Sequence, residues 1–315
     1  MSYTVSIKEE ISKIKSSNSE LIAELSGYIR NNGIITNKKV TMTTENKAIV
    51  DHLVETLKDI YNTSAKVEII ENLNFSKNDL YQITIDNNVQ NIMEKLGVLD
   101  KDSKYLSTVP DYIVGGNEEI RAYLRGVFAG VGSINDPQTS RYHMELLINK
   151  SKEAVFVQKL LNIFELNAKI LSRDKGYMIY IKEAEKISDF LKILGANKAV
   201  LYFENVRIYR DQKNKTNRLN NMEQANMDKI IQTATDQLKD IQIIEENDGV
   251  MLLDDKVKET LEYRKKYPEA SLKELAEIIS LETNKPITKS GLNHRLRKIK
   301  DLADRFNKQK THSNE

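Results

Sequence analysis

The first hundred residues switch between two hydrophobic periods. In "SNSELIAELSGYIRNNG", Leu21, Leu25 and Tyr28 recur on one face, and Ser17 and Glu20 stand at capping-box spacing, which predicts a helix. "KKVTMTTE" alternates as a strand, and "NKAIVDHLVETLKDIYN" returns to the helical period. "AKVEIIEN" and "LYQITIDN" read as the arms of a hairpin, and "VQNIMEKLGV" as a closing helix. The same order then returns. "NEEIRAYLRGVFAGVGSI" is the helix, "YHMELLINK" the strand and "KEAVFVQKLLNIFEL" the next helix, followed by a hairpin through Asp174, Lys175 and Gly176 and the helix "AEKISDFLKILGA". Two copies of one unit, spanning 17–100 and 117–200, predict an α+β domain over residues 1–209 with pseudo-twofold symmetry.

Within each copy the first helix is thinned by glycine at matching places. "LSGYIRNNG", residues 25–33, and "LRGVFAGVG", residues 124–132, both have Leu, Gly two positions on, and Gly six further. Small residues let backbones approach, so Gly27, Gly33, Gly126 and Gly132 are expected where the two helices pack at the pseudo-dyad.

Beyond residue 209 the pattern is helical only. "ENVRIYRDQKNKTNRLNN", residues 204–221, carries Arg207, Arg210, Lys213, Lys215 and Arg218 against Glu204 and Asp211. It reads as a basic linker over 210–221, either simply solvated or following a phosphate backbone. From 222 to 308 short helices follow. "DDKVKETLEYRKKYPEA" is stopped by Pro268, "SLKELAEIISLE" opens with a second capping box, Ser271 to Glu274, and "NKPITKSGLNHRLRKIKDLADRF" restarts at Thr288. Three short helices with a tight connection predict a helix-turn-helix, with residues 309–315 as a tail.

On the last helix Leu292, Leu296 and Ile299 form the core stripe, so Ser290, His294 and Arg297 point the other way, flanked by Asn293 and Lys298. Amide, imidazole and guanidinium groups on one face suit a major groove. Lys289, Ser290, Asn293, His294, Arg295, Arg297 and Lys298 are therefore the candidate DNA contacts. The net charge of the 315-residue chain is only +2, yet residues 285–310 hold nine Lys or Arg against Asp301 and Asp304. That local excess of seven positive charges favours double-stranded DNA as the partner.

Composition adds exclusions. With 40% hydrophobic and 30% charged residues, no long apolar run and no cysteine, the sequence predicts a cytoplasmic protein without disulfides or thiolate chemistry, and DNA as its partner makes it nucleoid-associated. His52, His143, His294 and His312 are far apart, so no metal site is expected. "GVFAGVG" lies within or at the end of a helix rather than between strand and helix, which argues against dinucleotide binding, and no cofactor is expected. A monomer is the favoured state.

The paired nonamers resemble the LAGLIDADG motif of homing endonucleases. With "GSINDP" behind one of them and "KSGLNHRLRKI" downstream, the whole chain resembles the bacterial WhiA family, which joins such a domain to a C-terminal helix-turn-helix. In the endonucleases the eighth residue of each nonamer is an acid that helps hold a divalent metal over the scissile phosphate. Here those places hold Asn32 and Val131, and Asp136 lies beyond the motif as a turn residue before Pro137. The resemblance thus implies a DNA-binding regulator linked to cell division, chromosome segregation and, in some relatives, sporulation. It implies no catalytic residues, and other transcription or cell-division proteins as further partners. A structural or interaction role in the division machinery is the alternative.

Overall fold

The computed structural model describes residues 2–36, 38–70, 79–139 and 141–312, with side chains described to residue 309. Two compact units divide it, Met1–Asp211 and Gln212–Glu315.

In the first unit, α1 (Tyr3–Ile11) starts at Ser2, whose hydroxyl accepts from the Val5 N–H, and buries Tyr3, Ile7 and Ile11 at helical spacing. Helix α2 (Asn18–Asn32) opens with both arms of the Ser17–Glu20 capping box. The first copy continues with β1 (Ile34–Ile35), β2 (Val40–Thr44), α3 (Lys47–Tyr61), β3 (Lys66–Ile70), β4 (Leu80–Ile85) and α4 (Val89–Lys95). The second copy is α5 (Asn117–Val131), β5 (Gly132–Ile134), β6 (Met144–Ile148), α6 (Ser151–Ile163), β7 (Lys169–Arg173), β8 (Gly176–Ile181) and α7 (Ala184–Leu194).

Both sheets are antiparallel and share one topology, β1-β2-β4-β3 and β5-β6-β8-β7. Met42 pairs with Ile83 in the first and Leu146 with Ile179 in the second, and all four are buried. Alternation along the strands puts these side chains on the face covered by the helices. Gly176 adopts φ +120° where the β7–β8 hairpin turns, a conformation that residues with a Cβ rarely adopt.

At the centre α2 and α5 cross. A Cβ added to Gly27 would collide with the Tyr123 carbonyl, and one added to Gly126 would collide with the Glu24 carbonyl. Gly33 and Gly132 differ from the expectation of helix-to-helix packing. They follow the last residues of α2 and α5, and added Cβ atoms would meet Ile29 and Phe128 of their own preceding turns. Their backbones are extended because each helix passes directly into a strand there.

Two buried ion pairs tie the copies together. Arg30 Nε donates to Glu153 Oε1 at 2.9 Å, while its other nitrogens donate to the carbonyls of Gly97 and Leu106, each at 2.7 Å. Burial opposes the Arg30 charge, but the hydrogen bond and charge of Glu153 outweigh it and raise the guanidinium pKa. Arg125 Nε donates to Glu24 Oε2 at 2.9 Å, and the other Glu24 oxygen lies 3.0 Å from His52 Nε2.

Helix α8 (Asn197–Glu246) runs through the segment expected as a linker, so residues 210–221 are helical. Neither Gly nor Pro interrupts residues 197–246, and pairs such as Gln224–Asp228 and Gln232–Asp236 join successive turns. The second unit continues with α9 (Asp255–Lys266), α10 (Leu272–Thr283) and α11 (Lys289–His312) around Ile244, Leu261, Leu275, Leu292, Leu296 and Ile299. The first four residues of the expected tail are thus helical, and residues 313–315 lie outside those described. No helix among the described residues is long and apolar enough to cross a membrane.

Candidate nucleic-acid interface

Helix α11 begins where Thr288 Oγ1 accepts from the Gly291 N–H at 3.1 Å. The turn before it is fastened by Ser280, whose hydroxyl accepts from the Ile287 N–H at 2.9 Å. At the other end of α10, Ser271 and Glu274 form the full capping box. Leu292, Leu296, Ile299 and Ala303 are buried against α9 and α10, which fixes the roll of α11. Lys289, Ser290, His294 and Arg297 consequently face solvent, and Asn293 is half-buried beside them.

Two residues of the expected contact set pair with acids of their own domain. Arg295 Nη1 lies 3.3 Å from Glu259 Oε2 and also donates to the Lys256 carbonyl of α9 at 3.2 Å. Lys298 Nζ donates to Asp254 Oδ2 at 3.0 Å. That bond and the Val257 N–H hold the Asp254 carboxyl below its ordinary range. Arg295, half-buried, braces α11 against α9, whereas Lys298 pairs with Asp254 while staying exposed beside the reading face. Their partners are Asp254, the cap of α9, and Glu259 within it, so the pairing depends on which helix lies alongside.

The α9–α10 connection is anchored as well. Lys266 and Tyr267 both donate to Glu282, which holds that carboxyl down at about 2. Arg264 is almost fully buried and donates to the carbonyls of Tyr267 and Ala270 at 3.3 and 2.8 Å.

The basic stretch separates into two groups. Arg207 pairs with Glu204 at 3.1 Å, while Arg210 donates to the Pro137 and Thr139 carbonyls and stacks 4.7 Å from the Tyr142 ring. Both serve the fold of the first unit. Lys213, Lys215 and Arg218 project from α8 into solvent.

At the motif ends, Asn32 Nδ2 donates to the Gly130 carbonyl at 3.2 Å and its Oδ1 accepts from the Thr43 N–H at 3.1 Å. A neutral amide therefore links the two motif helices and β2, and Val131 is aliphatic. Neither side chain supplies the carboxylate that a metal-assisted phosphodiester cut requires. Sequence reasoning missed Glu24, Arg125 and Glu153, because pairs more than a hundred residues apart carry no local spacing signal.

Residues 18–99 match the WhiA N-terminal LAGLIDADG-like domain, 120–213 the WhiA LAGLIDADG-like domain and 216–303 the WhiA C-terminal HTH domain. The chain is 39% identical to a probable cell division protein WhiA of Enterococcus faecalis over 310 residues, covering 97% of this chain and 98% of that protein. It belongs to the WhiA family. A Staphylococcus aureus probable cell division protein WhiA is 38% identical, again over 97% of this chain and 98% of its own. The crystal structure of a full-length WhiA from Thermatoga maritima superposes with a TM-score of 0.60 at 24% identity, covering 97% of this chain and 99% of that one. An N-terminal LAGLIDADG domain of WhiA gives a TM-score of 0.50 at 23% identity over 61% of this chain and 89% of that one. WhiA architecture therefore accounts for both units, with the LAGLIDADG-like repeat in one and the helix-turn-helix in the other.

Proposed function

We propose that this WhiA chain is a sequence-specific DNA-binding transcriptional regulator involved in cell division and chromosome segregation, working on double-stranded DNA at the nucleoid and cutting none of it. The observation that carries the reading is the outward face of α11, where Lys289, Ser290, His294 and Arg297 are exposed on a helix whose roll is fixed by its core. The names of the Enterococcus and Staphylococcus relatives supply the link to division. Lys213, Lys215 and Arg218 serve as additional phosphate counter-charges in this reading.

Arg297 has the fork geometry for guanine, so Arg297→Ala is expected to cost about 1–3 kcal/mol on a duplex selected from genomic fragments and to relax preference at one base pair. Binding isotherms on the selected and a scrambled duplex at several salt concentrations measure this. Equal loss on both duplexes would remove the base-reading role and favour an interaction protein of the division machinery.

The second expectation concerns cleavage. Purified protein incubated with supercoiled and linear DNA plus magnesium or manganese should leave both intact, because Asn32 and Val131 supply no charge to a metal. Cutting that survives repurification and disappears in Asn32→Ala would overturn the assignment.

A further inference from the structure

Strands β3 and β7 are matching edges of the two sheets, each bonded to a single neighbouring strand among the described residues. Such an edge offers a row of N–H and C=O groups to any other chain, and proteins commonly protect it with charge. The two edges are protected differently. By register, Val67, Ile69 and Ile70 of β3 stand where β7 has Ile170, Ser172 and Arg173. Ile170 is half-buried against the core, whereas Val67 is 40% exposed and Ile69 59%. A serine and a cation thus finish β7, while two isoleucines leave β3 apolar and open.

The sequence of β3 selects what covers it. Alternation puts Lys66 and Glu68 on one face of the strand and Val67 and Ile69 on the other. Two copies laid antiparallel about a two-fold axis, with the helix-bearing faces of their sheets on the same side, centre on a residue. Centring on Val67 sets Lys66 of each copy opposite Glu68 of the other, Val67 opposite Val67, and Ile69 opposite Ala65. Moving the axis to Lys66 or Glu68 places like charges face to face, and moving it to Ile69 leaves Glu68 opposite Ile70. In β7 the same register would set Lys169 against Leu171. Within its own chain Lys66 pairs with Asp86, and Glu68 accepts from Gln82 Nε2 at 3.4 Å. An ammonium has three donors and a carboxylate about four acceptor sites, so both groups keep these partners and gain another.

We propose that β3 is a self-association edge, through which two copies of this chain join into one antiparallel sheet in the register centred on Val67. The contact is isologous and closes at two copies. With five residues from each strand it belongs to the small, transient class, so the monomer favoured from sequence is the dilute form of the chain. The pairing uses no residue of α11 and stands whether or not that helix reads DNA.

The test uses the full chain, which has no cysteine of its own. Sedimentation velocity over a concentration series is expected to show a monomer–dimer equilibrium. Lys66→Glu and Glu68→Lys should each raise the dimer dissociation constant about tenfold or more, because like charges then face each other twice. Mixing the two variants should restore the wild-type value, since each supplies the charge the other lacks, and misfolded chains would not do so. Under the thiol oxidant diamide, Val67→Cys should give a disulfide-linked dimer, because directly opposed Cα atoms lie about 4.5–5.5 Å apart, within reach of that bond. Ile69→Cys should stay unlinked, since in this register each copy's residue 69 faces residue 65 of the other. A single-copy mass at every concentration up to about 1 mM, with Val67→Cys unlinked, overturns the pairing. A dimer indifferent to both charge variants, or one that links through Ile69→Cys, overturns it equally.

Discussion

Glu153→Ala is expected to destabilise the first unit by about 3–5 kcal/mol, the range for removing one partner of a buried ion pair. Glu153 is 2% exposed and the Arg30 side chain is fully buried, so the guanidinium left behind would keep only the Gly97 and Leu106 carbonyls as acceptors. Tyr123 would lose an acceptor too, since its hydroxyl donates to Glu153 Oε2 at 3.3 Å. Urea unfolding of the full chain, followed by hydrogen exchange in α2 and α5, gives the magnitude and its location. A companion variant, Arg30→Met with Glu153→Leu, removes both charges and should recover much of the loss. If the single and double variants are equally destabilised, packing rather than an unpaired charge is the cause.

Gly126→Leu should be comparably severe. Even a Cβ at this position would collide with the Glu24 carbonyl, and that atom is backbone, so no side-chain rotation relieves the contact. Overpacking a well-filled contact costs about 1–3 kcal/mol, and a leucine against backbone belongs at or above the upper end. Gly291→Ala is the control, because its Cβ would meet nothing nearer than Thr288 Oγ1 at 3.4 Å, within the first turn of α11. It should be neutral or slightly stabilising. Unchanged exchange of α2 and α5 amides in Gly126→Leu would mean that the helices do not need their close approach.

Much of this architecture is legible in the sequence because the signals are local. Capping boxes at Ser17 and Ser271, strand alternation and a repeated element order all act within a few residues, and the structure has them where they were expected. The spacing of Tyr3, Ile7 and Ile11 also marks α1, a helix outside the two repeated units. Periodicity placed Ser290, His294 and Arg297 outward, since a buried stripe at Leu292, Leu296 and Ile299 leaves the opposite face to solvent. It could not show that Arg295 and Lys298 are held by Glu259 and Asp254, because that depends on which helix lies alongside. The glycines illustrate the same boundary. All four share one spacing, yet only Gly27 and Gly126 face the opposite helix, because Gly33 and Gly132 have already left theirs.

The Arg30–Glu153 pair makes the two halves of the repeat chemically unlike at their shared centre. By motif position Arg30 corresponds to Ala129, and by strand register Glu153 corresponds to Ile49. Two first halves brought together in this geometry would bury two guanidinium groups opposite isoleucine. Two second halves would bury two carboxylates opposite alanine. Only the mixed pairing gives both buried guanidinium groups their carboxylates, Arg30 with Glu153 and Arg125 with Glu24, so the repeat is symmetric in backbone and complementary in charge.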